Sequence, residues 1–365
     1  MIERLDNLQI PYTPGKPLVI AGPCSAETHE QTLKTAMQLA KQGVKIFRAG
    51  VWKPRTKPGG FEGMGKEALE WLKEVKEKTG MLTATEVATP SHVELALSHN
   101  IDILWIGART SGDPFALETL ANALRGCDIP ILVKNPMIPD TELWIGAIER
   151  FKNAGIKRLG GIHRGFSNYA NRTYRNAPMW QIPIELRHRI PDIPLICDPS
   201  HIAGRRDLVS NICEESMNLG FDGVIIECHC NPDIALSDKH QQITPGGLGK
   251  IIEKIKLREG KSYNEDIIVL RNQIDDIDDE LLSLLARRME ISRQIGEYKK
   301  SHNISALQAE RYYEILGKRV GNAKSSGMSE DFICKIYETI HQESLRQQLD
   351  IINGINVKLD PEQFL

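Results

Sequence analysis

The feature that most constrains the fold is an alternation of short apolar runs with amphipathic stretches over the first two-thirds of the chain. The amphipathic stretches, such as Lys66–Lys78 and Thr141–Ala154, have the apolar spacing of surface helices. Eight short apolar runs within about 240 residues match the size of a (β/α)8 barrel. The predicted strands are Leu18–Ala21, Val44–Arg48, Leu82–Glu86, Ile103–Ile106, Pro130–Val133, Arg158–Ile162, Pro194–Cys197 and Gly223–Ile226.

A doubly wound sheet is the alternative arrangement of alternating strands and helices. It would show the glycine pattern GxGxxG of a nucleotide-binding turn after the first strand. The segment at that place reads AGPCSAE instead, so a closed (β/α)8 TIM barrel of the α/β class is predicted. Catalytic side chains of such barrels lie at the C-terminal ends of the strands.

Four side chains able to bind a metal lie in four separate pieces of chain, each after an apolar run that is interpreted as a strand. A barrel would gather them at one mouth. Together they mix soft and hard donors, which suits a divalent first-row metal without selecting one. An ion with a free coordination position can polarise a substrate carbonyl. These candidates are Cys24, His201, Glu227 and Asp238.

Basic side chains are interleaved with the metal-binding candidates. The formal net charge is −2, so they form a local cluster, and the chain lacks the overall basicity of a nucleic-acid-binding protein. Proline between Lys53 and Arg55 holds these two cations in fixed directions. The surplus over one phosphate predicts two anionic substrates, or a phosphate plus a carboxylate. The cluster comprises Arg48, Lys53, Arg55, Arg109, Lys134 and Arg164.

The last hundred residues have a different pattern. Apolar residues at 270, 274, 277, 281, 284 and 285 follow helical spacing after a polar segment that reads as a linker. Three helices are predicted, over Ile267–Lys300, Leu307–Lys324 and Ser329–Gln348, with Ser329 as the N-cap of the third. The predicted domains are a barrel at 1–256, a linker at 257–266, a helical module at 267–352 and a tail at 353–365.

Three cations on the first of these helices suggest a second anion site. Arg288 and Lys299 are about 16 Å apart along the axis and nearly on one face, so they could clasp one small dianion. Arg271 lies about 25 Å before Arg288, too far to reach the same ligand from one straight helix. If Arg271 works in that site, it comes from a second chain, which predicts a homodimer with shared sites. The alternative is three solvated charges on a long helix.

Seven cysteines without regular pairing favour a reducing compartment. The first residues, MIERLDNLQIPYTPGK, lack the apolar core of a signal peptide. No run approaches the ~20 apolar residues of a membrane span. A cytoplasmic protein without a membrane partner is therefore expected.

The motifs GPCSAE, RAGVWKPRT, IGAR, LVKN, HRG, DPSH and ECHCNPDIALSD occur in this order and resemble the metal-dependent 3-deoxy-D-arabino-heptulosonate 7-phosphate (DAHP) synthases of the short-barrel subclass, over about residues 15–255. The resemblance implies condensation of phosphoenolpyruvate with erythrose 4-phosphate, with a divalent ion such as Mn²⁺. KPRT distinguishes this family from related synthases that use a larger aldose phosphate. By this resemblance Cys24, His201, Glu227 and Asp238 bind the metal; Arg48, Lys53, Arg109, Lys134 and Arg164 bind phosphoenolpyruvate; and Arg55 and Thr56 bind the aldose phosphate. Lys53 and Lys134 are catalytic candidates, and Glu86 and Lys134 both remain candidates for handling the proton of the attacking water.

LRNQIDDIDDELLSLLARR, GEYKK and ESLRQQ resemble the all-helical chorismate mutase class over about residues 265–350. The resemblance implies rearrangement of chorismate to prephenate, with Lys299 and Gln348 as donors to the ether oxygen. The family commonly has acidic residues at the positions of Gln308 and Tyr312, which leaves contacts to the substrate hydroxyl open. The matched residues are Arg271, Arg288, Lys299, Gln308, Arg311, Ser344 and Gln348.

Two functional hypotheses follow for the helical module. In the first, both parts are catalytic, and chorismate or prephenate bound to the module regulates the barrel. In the second, the module is a ligand sensor and dimerisation element without useful catalysis.

Overall fold

The computed structural model describes residues 4–53, 59–167, 173–257, 265–325 and 327–354. The chain divides into two compact units, Met1–Gly260 and Lys261–Leu365. They are considered separately below. None of the helices in these ranges combines the length and apolar content that crossing a bilayer requires.

Eight parallel strands in chain order form a closed barrel in the first unit, with β8 paired to β1. This confirms the predicted TIM barrel. The strands are β1 Leu18–Gly22, β2 Ile46–Arg48, β3 Leu82–Val87, β4 Ile103–Ile106, β5 Ile131–Lys134, β6 Leu159–His163, β7 Leu195–Cys197 and β8 Gly223–Glu227.

Helices follow the strands on the outside of the barrel. Several begin with a side-chain cap: Asp113, for example, accepts hydrogen bonds from the backbone N–H groups of Phe115 and Ala116. The helices are α1 His29–Ala40, α2 Lys66–Thr79, α3 Pro90–Ser98, α4 Pro114–Ala123, α5 Thr141–Asn153, α6 Gln181–Arg189, α7 Pro199–Ala203, α8 Val209–Asn218 and α9 Pro245–Lys254.

The interior of the barrel is packed with side chains. Ile20 pairs in register with Ile46 on one side and Ile225 on the other, and all three are fully buried. Trp105 on β4 lies in the same inner cluster and is 1% exposed. Burying each large apolar side chain contributes about 1.5–3 kcal/mol. This core makes the strands a rigid support, so the polar side chains at their C-terminal ends occupy fixed positions.

The described residues of the second unit form three helices: α10 Glu265–Ser301, α11 Ala309–Ser325 and α12 Glu330–Asn353. Ser329 caps α12 by accepting a hydrogen bond from the N–H of Phe332, as predicted. Gly296 lies where α10 meets α12, and a Cβ there would be 3.2 Å from the Cα of Gln348. The glycine therefore permits a close approach of the two helices rather than ending α10.

Candidate active sites

Three of the four predicted metal ligands converge at the C-terminal end of the barrel. The ligand atoms of Cys24, Glu227 and Asp238 all lie within 4.8 Å of one another. Glu227 ends β8 and is fully buried, and within the described residues its Oε1 atom has no hydrogen-bond partner. An orphaned buried carboxylate oxygen beside a thiol and a second carboxylate fits a divalent cation. The residues present therefore suit the metal.

His201 stands beside this group rather than within it. Its Nε2 atom is 3.7 Å from Oε1 of Glu227, and its Nδ1 atom is 2.8 Å from Oδ2 of Asp198. Burial acts to raise the pKa of Asp198, but the charges of His201 and Lys134 outweigh it and hold that pKa well below its usual range. Nε2 is thus the ring nitrogen directed toward Glu227.

Lys53 links the predicted metal ligands to the basic cluster, because its Nζ atom lies 2.9 Å from Sγ of Cys24. Burial and the charge of Glu227 raise the pKa of the Cys24 thiol to about 12. Burial acts to lower the pKa of Lys53, but the negative partners Cys24 and Glu227 outweigh it and raise that pKa. Lys53 is therefore a cation placed directly against the predicted metal-binding sulfur.

Arg48 and Lys134 share the Trp105 ring at the top of the packed interior. The guanidinium carbon of Arg48 is 4.7 Å from the ring centroid, and the Lys134 ammonium is 5.9 Å away. Arg48 also donates to the carbonyl of Cys24 at 3.2 Å and lies 3.6 Å from Glu227 Oε1. Two buried cations over one aromatic face form a strong anion-attracting patch.

Glu86 points into the same region from β3. Its Oε2 atom accepts a hydrogen bond of 3.0 Å from the indole N–H of Trp105. A Cβ at Gly107 would lie 2.1 Å from Oε1 of Glu86, so only glycine leaves room for this carboxylate. The structure orients Glu86 through Trp105, and its role in proton transfer stays a prediction.

Arg164 follows β6 and is also buried. It donates to Oδ1 of Asn176 at 2.7 Å, while its backbone N–H donates to Oδ1 of Asn135 at 2.7 Å. Burial lowers the pKa of the Arg164 guanidinium to about 10, and the nearby charges of Arg175 and Arg109 act in the same direction. Arg109 itself is exposed in the turn after β4. These neighbouring cations form the second part of the basic cluster.

Asp238 was expected to follow a strand, and that expectation is wrong. It lies in the loop after β8, with φ +46°, because the apolar residues before it pack in a short 3₁₀ turn and a loop. Arg55 and Thr56, the predicted aldose-phosphate residues, lie outside the described residues.

Two further residues of the site carry little signal in the sequence. Arg175 donates to Oδ1 of Asp238 at 2.9 Å and to Gln241 at 2.7 Å, and Gln241 donates to Oε2 of Glu227 at 2.7 Å. Burial acts to raise the pKa of Asp238, but the charges of His201 and Arg175 outweigh it and hold that pKa below its ordinary value. Both residues lie in loops without periodicity. Asp198 had a visible signal, as the residue before proline in DPSH.

The second site lies between α10 and α12. The Lys299 ammonium donates to Oε1 of Gln348 at 3.0 Å and to the Ala306 carbonyl at 2.6 Å. Gln348 in turn donates to Oγ of Ser292 at 3.0 Å. Lys299 and Gln348 are each 7% exposed, and burial lowers the pKa of Lys299. The amide of Gln348 is therefore held in one orientation.

Arg288 extends this group by one turn, donating to Oγ of Ser344 at 2.5 Å. Three other predicted residues do not join it within one chain. Arg271 and Gln308 are exposed, and Arg311 is exposed and paired with Glu314 at 2.7 Å. Arg271 and Arg288 lie on the same continuous helix, 17 residues and about 25 Å apart.

The fold and the first site define a (β/α)8 enzyme with a candidate cation site beside a basic pocket. The model of the DAHP synthetase I family matches residues 9–260, and that of chorismate mutase type II matches residues 270–349. The chain belongs to the DAHP synthetase I family and carries a chorismate mutase domain after the barrel. It is accordingly a bifunctional enzyme of aromatic biosynthesis.

Relatives of known name cover mainly the barrel. A phospho-2-dehydro-3-deoxyheptonate aldolase of Thermotoga maritima is 32% identical over 65% of this chain and 68% of its own length. A 2-dehydro-3-deoxyphosphooctonate aldolase of Geobacter metallireducens is 30% identical over 66% of this chain and 92% of its own. The crystal structure of the Thermotoga maritima enzyme matches with a TM-score of 0.60 at 30% identity, over 66% of this chain and 68% of that one.

Proposed function

We propose that the barrel condenses phosphoenolpyruvate with erythrose 4-phosphate to give DAHP and inorganic phosphate. The observation that supports this most is the convergence of Cys24, Glu227 and Asp238 next to the buried cation Arg48 and the half-buried cation Lys53. Cys24, His201, Glu227 and Asp238 would hold a divalent first-row ion such as Mn²⁺. When bound, that ion supplies a Lewis acid for the aldehyde oxygen.

The protein side chains then account for binding and charge. Arg48, Lys53, Arg109, Lys134 and Arg164 bind the phosphate and carboxylate of phosphoenolpyruvate. The enol carbon forms the new bond to the aldehyde carbon, and water adds to the electron-poor C2 before phosphate leaves. Fixed cations stabilise the negative charge that accumulates during these steps. Glu86 and Lys134 are the groups within the site that can handle the proton of that water.

The acceptor sugar is a separate part of the proposal. Relatives named 2-dehydro-3-deoxyphosphooctonate aldolases share the barrel at 25–30% identity, so a larger aldose phosphate is the competing acceptor. The motif KPRT, with Arg55 and Thr56, favours erythrose 4-phosphate. A panel of aldose phosphates of different length decides this, and preference for a five-carbon sugar would reject the four-carbon acceptor.

For the helical module we propose the rearrangement of chorismate to prephenate in a homodimer. Lys299 and Gln348 are already fixed together and would stabilise the ether oxygen, while Arg288 binds a carboxylate. Arg271 would come from the partner chain, with Arg311 and Gln308 closing the site. Many apolar side chains of α10, among them Ile277, Leu281 and Leu284, are more than half exposed, which favours a second copy as their cover.

We further propose that the helical module regulates the barrel. The two domains catalyse non-consecutive steps, so feedback by prephenate or chorismate explains the fusion better than transfer of an intermediate. Unchanged DAHP formation by the intact enzyme after addition of prephenate would reject it. The competing hypothesis is that the module only senses its ligand and holds the dimer together.

The experiment that tests the central proposal assays the purified chain with both substrate sets. We expect DAHP formation to require a divalent metal and to stop on chelation, whereas chorismate loss continues unaffected. Condensation that persists after complete metal removal would contradict the ligand assignment. Absence of condensation with any metal would contradict the proposed reaction.

A further inference from the structure

One buried carboxylate contacts a predicted metal ligand and a residue of the basic cluster at the same time. Asp198 is fully buried at the N-terminus of α7. Its Oδ2 atom lies 2.7 Å from the Lys134 ammonium and 2.8 Å from Nδ1 of His201. Its Oδ1 atom accepts the backbone N–H of His201 at 3.1 Å, which caps the helix. The cap uses one oxygen, and the other serves both side chains.

The contact to His201 decides which ring nitrogen carries the proton. The contact is close but lacks the alignment of a hydrogen bond. Two atoms presenting lone pairs 2.8 Å apart would still repel, so Nδ1 bears the hydrogen when it faces the carboxylate. Nε2 then presents its lone pair on the side of Glu227, at 3.7 Å from Oε1. Imidazoles that bind metals are oriented in this way by a carboxylate behind the ring.

The contact to Lys134 fixes a side chain that would otherwise have many rotamers. Lys134 is 4% exposed, its ammonium lies against the Trp105 ring, and its charged partner is Asp198. A lysine held by one short charge-assisted bond presents its remaining N–H groups in set directions. These are available to an anionic substrate.

We propose that Asp198 is a positioning residue that aligns the metal-binding imidazole of His201 and the substrate-binding ammonium of Lys134 through one oxygen atom. This inference rests on the proposed function of the barrel. A carboxylate that only capped α7 would not need its second oxygen against both groups. Removing the charge should therefore impair metal binding and phosphoenolpyruvate binding together.

Asp198→Asn is the test variant, because its amide oxygen can still cap α7. Its NH2 group would face the donors of Lys134 and His201, so neither is held. We expect Mn²⁺ affinity, measured by competition with a chelating dye, to fall about 10–100-fold. We expect the Kd of phosphoenolpyruvate, measured by calorimetry on the metal-free chain, to rise about tenfold.

Asp222→Asn is the matched control. Asp222 is also buried and accepts from two arginines, Arg4 and Arg187, but it precedes β8 at the opposite end of the barrel. This variant should bind Mn²⁺ and phosphoenolpyruvate as the wild type does. A loss confined to metal, a loss confined to substrate, or no loss in Asp198→Asn would each overturn the shared role.

A measurement on the wild type keeps the inference testable even if Asp198→Asn does not fold. Nitrogen-15 NMR of the metal-free chain, with His201→Gln to assign the signal, should show the Nδ1–H tautomer of His201. An Nε2–H tautomer would contradict the proposal. A wild type that binds metal but not phosphoenolpyruvate would instead reject the proposed function. The substrate-binding role assigned to Lys134 would be rejected with it.

Discussion

The two catalytic units differ in how much of each site one chain supplies. In the barrel, closed strands bring Cys24, Glu227 and Asp238 together with their surrounding cations. In the helical unit, Lys299 and Gln348 are buried and bonded, but Arg271 and Arg311 are exposed. A closed sheet leaves no edge to cover, whereas α10 exposes a long apolar face. The comparison supports the proposal that the barrel site is complete within one chain and that the helical site requires two.

The largest expected effect comes from a substitution that disables the barrel site alone. Glu227→Gln keeps the shape of the side chain but removes a buried negative charge from the metal group. We expect DAHP formation to fall by about 10³-fold or more, because metal catalysis contributes several kcal/mol. Chorismate loss should be unchanged. Steady-state assays of both reactions on one preparation measure this.

Asp233→Asn is the control for that variant. Asp233 lies in the loop after β8 and forms an exposed pair with Arg206, 2.9 Å away. Its loss should leave both reactions intact. Comparable condensation by Glu227→Gln and Asp233→Asn would remove Glu227 from the metal group.

The next largest effect is expected from a substitution that disables the helical site alone. Arg288→Ala removes the cation that donates to Ser344, and we expect chorismate loss to fall about 10²–10³-fold, as for other fixed donors that stabilise developing charge. DAHP formation without effector should not change. Arg293→Ala, which removes an exposed arginine of the same helix, is the control. Equal chorismate loss in both variants would favour the sensor hypothesis.

Mixing variants sharpens the difference between one-chain and two-chain sites. Arg271→Ala and Arg288→Ala should each be inactive as mutases, yet a heterodimer of the two contains one intact site. After unfolding and refolding of an equal mixture, we expect mutase activity of about one quarter of the wild type in a two-fold dimer. The rate of chorismate loss measures the recovery.

The matched control mixes Arg288→Ala with Lys299→Ala. Both residues come from the same chain in each site, so no heterodimer has a complete set and activity should not return. Recovery in both mixtures, or in neither, would contradict site sharing through Arg271.

The sequence predicted the barrel well because its pattern is local. Each strand is a short apolar run, and the chemistry follows at its end, as for Arg48 and Lys134. Asp238 was misplaced because the residues before it are apolar without forming a strand. The role of Asp198 depends on Lys134, 64 positions away, reaching the same oxygen as His201. Such sharing is a property of the assembled barrel.

In the helical unit, too, local spacing predicted some features, whereas others depend on how the helices pack. Spacing along α10 was enough to place Arg288 and Lys299 on nearly one face. The bond from Gln348 to Ser292 was not predictable, since it depends on how α12 packs at Gly296. Spacing also showed that Arg271 cannot reach Arg288's ligand within a chain, and the continuous α10 agrees with that argument.

The smallest expected effect concerns stability of the barrel unit. His163 at the end of β6 is fully buried among Trp144, Phe166, Trp180 and Phe221. Burial lowers the pKa of its imidazole from 6.5 to about 3. Between these values the unfolded chain binds one more proton than the folded chain. Stability should therefore fall as the pH decreases below 6.5, by up to about 1.4 kcal/mol per pH unit.

Urea unfolding at pH 6.5 and 5.5 measures this loss in the barrel alone, because all five tryptophans lie in that unit. His163→Phe cannot take up a proton and suits the aromatic surroundings, so its stability should change less over the same interval. His188→Gln, which removes an exposed histidine of α6, should behave like the wild type. An identical loss in wild type and His163→Phe would show that His163 is not the group responsible, and that the acid sensitivity of the barrel arises elsewhere.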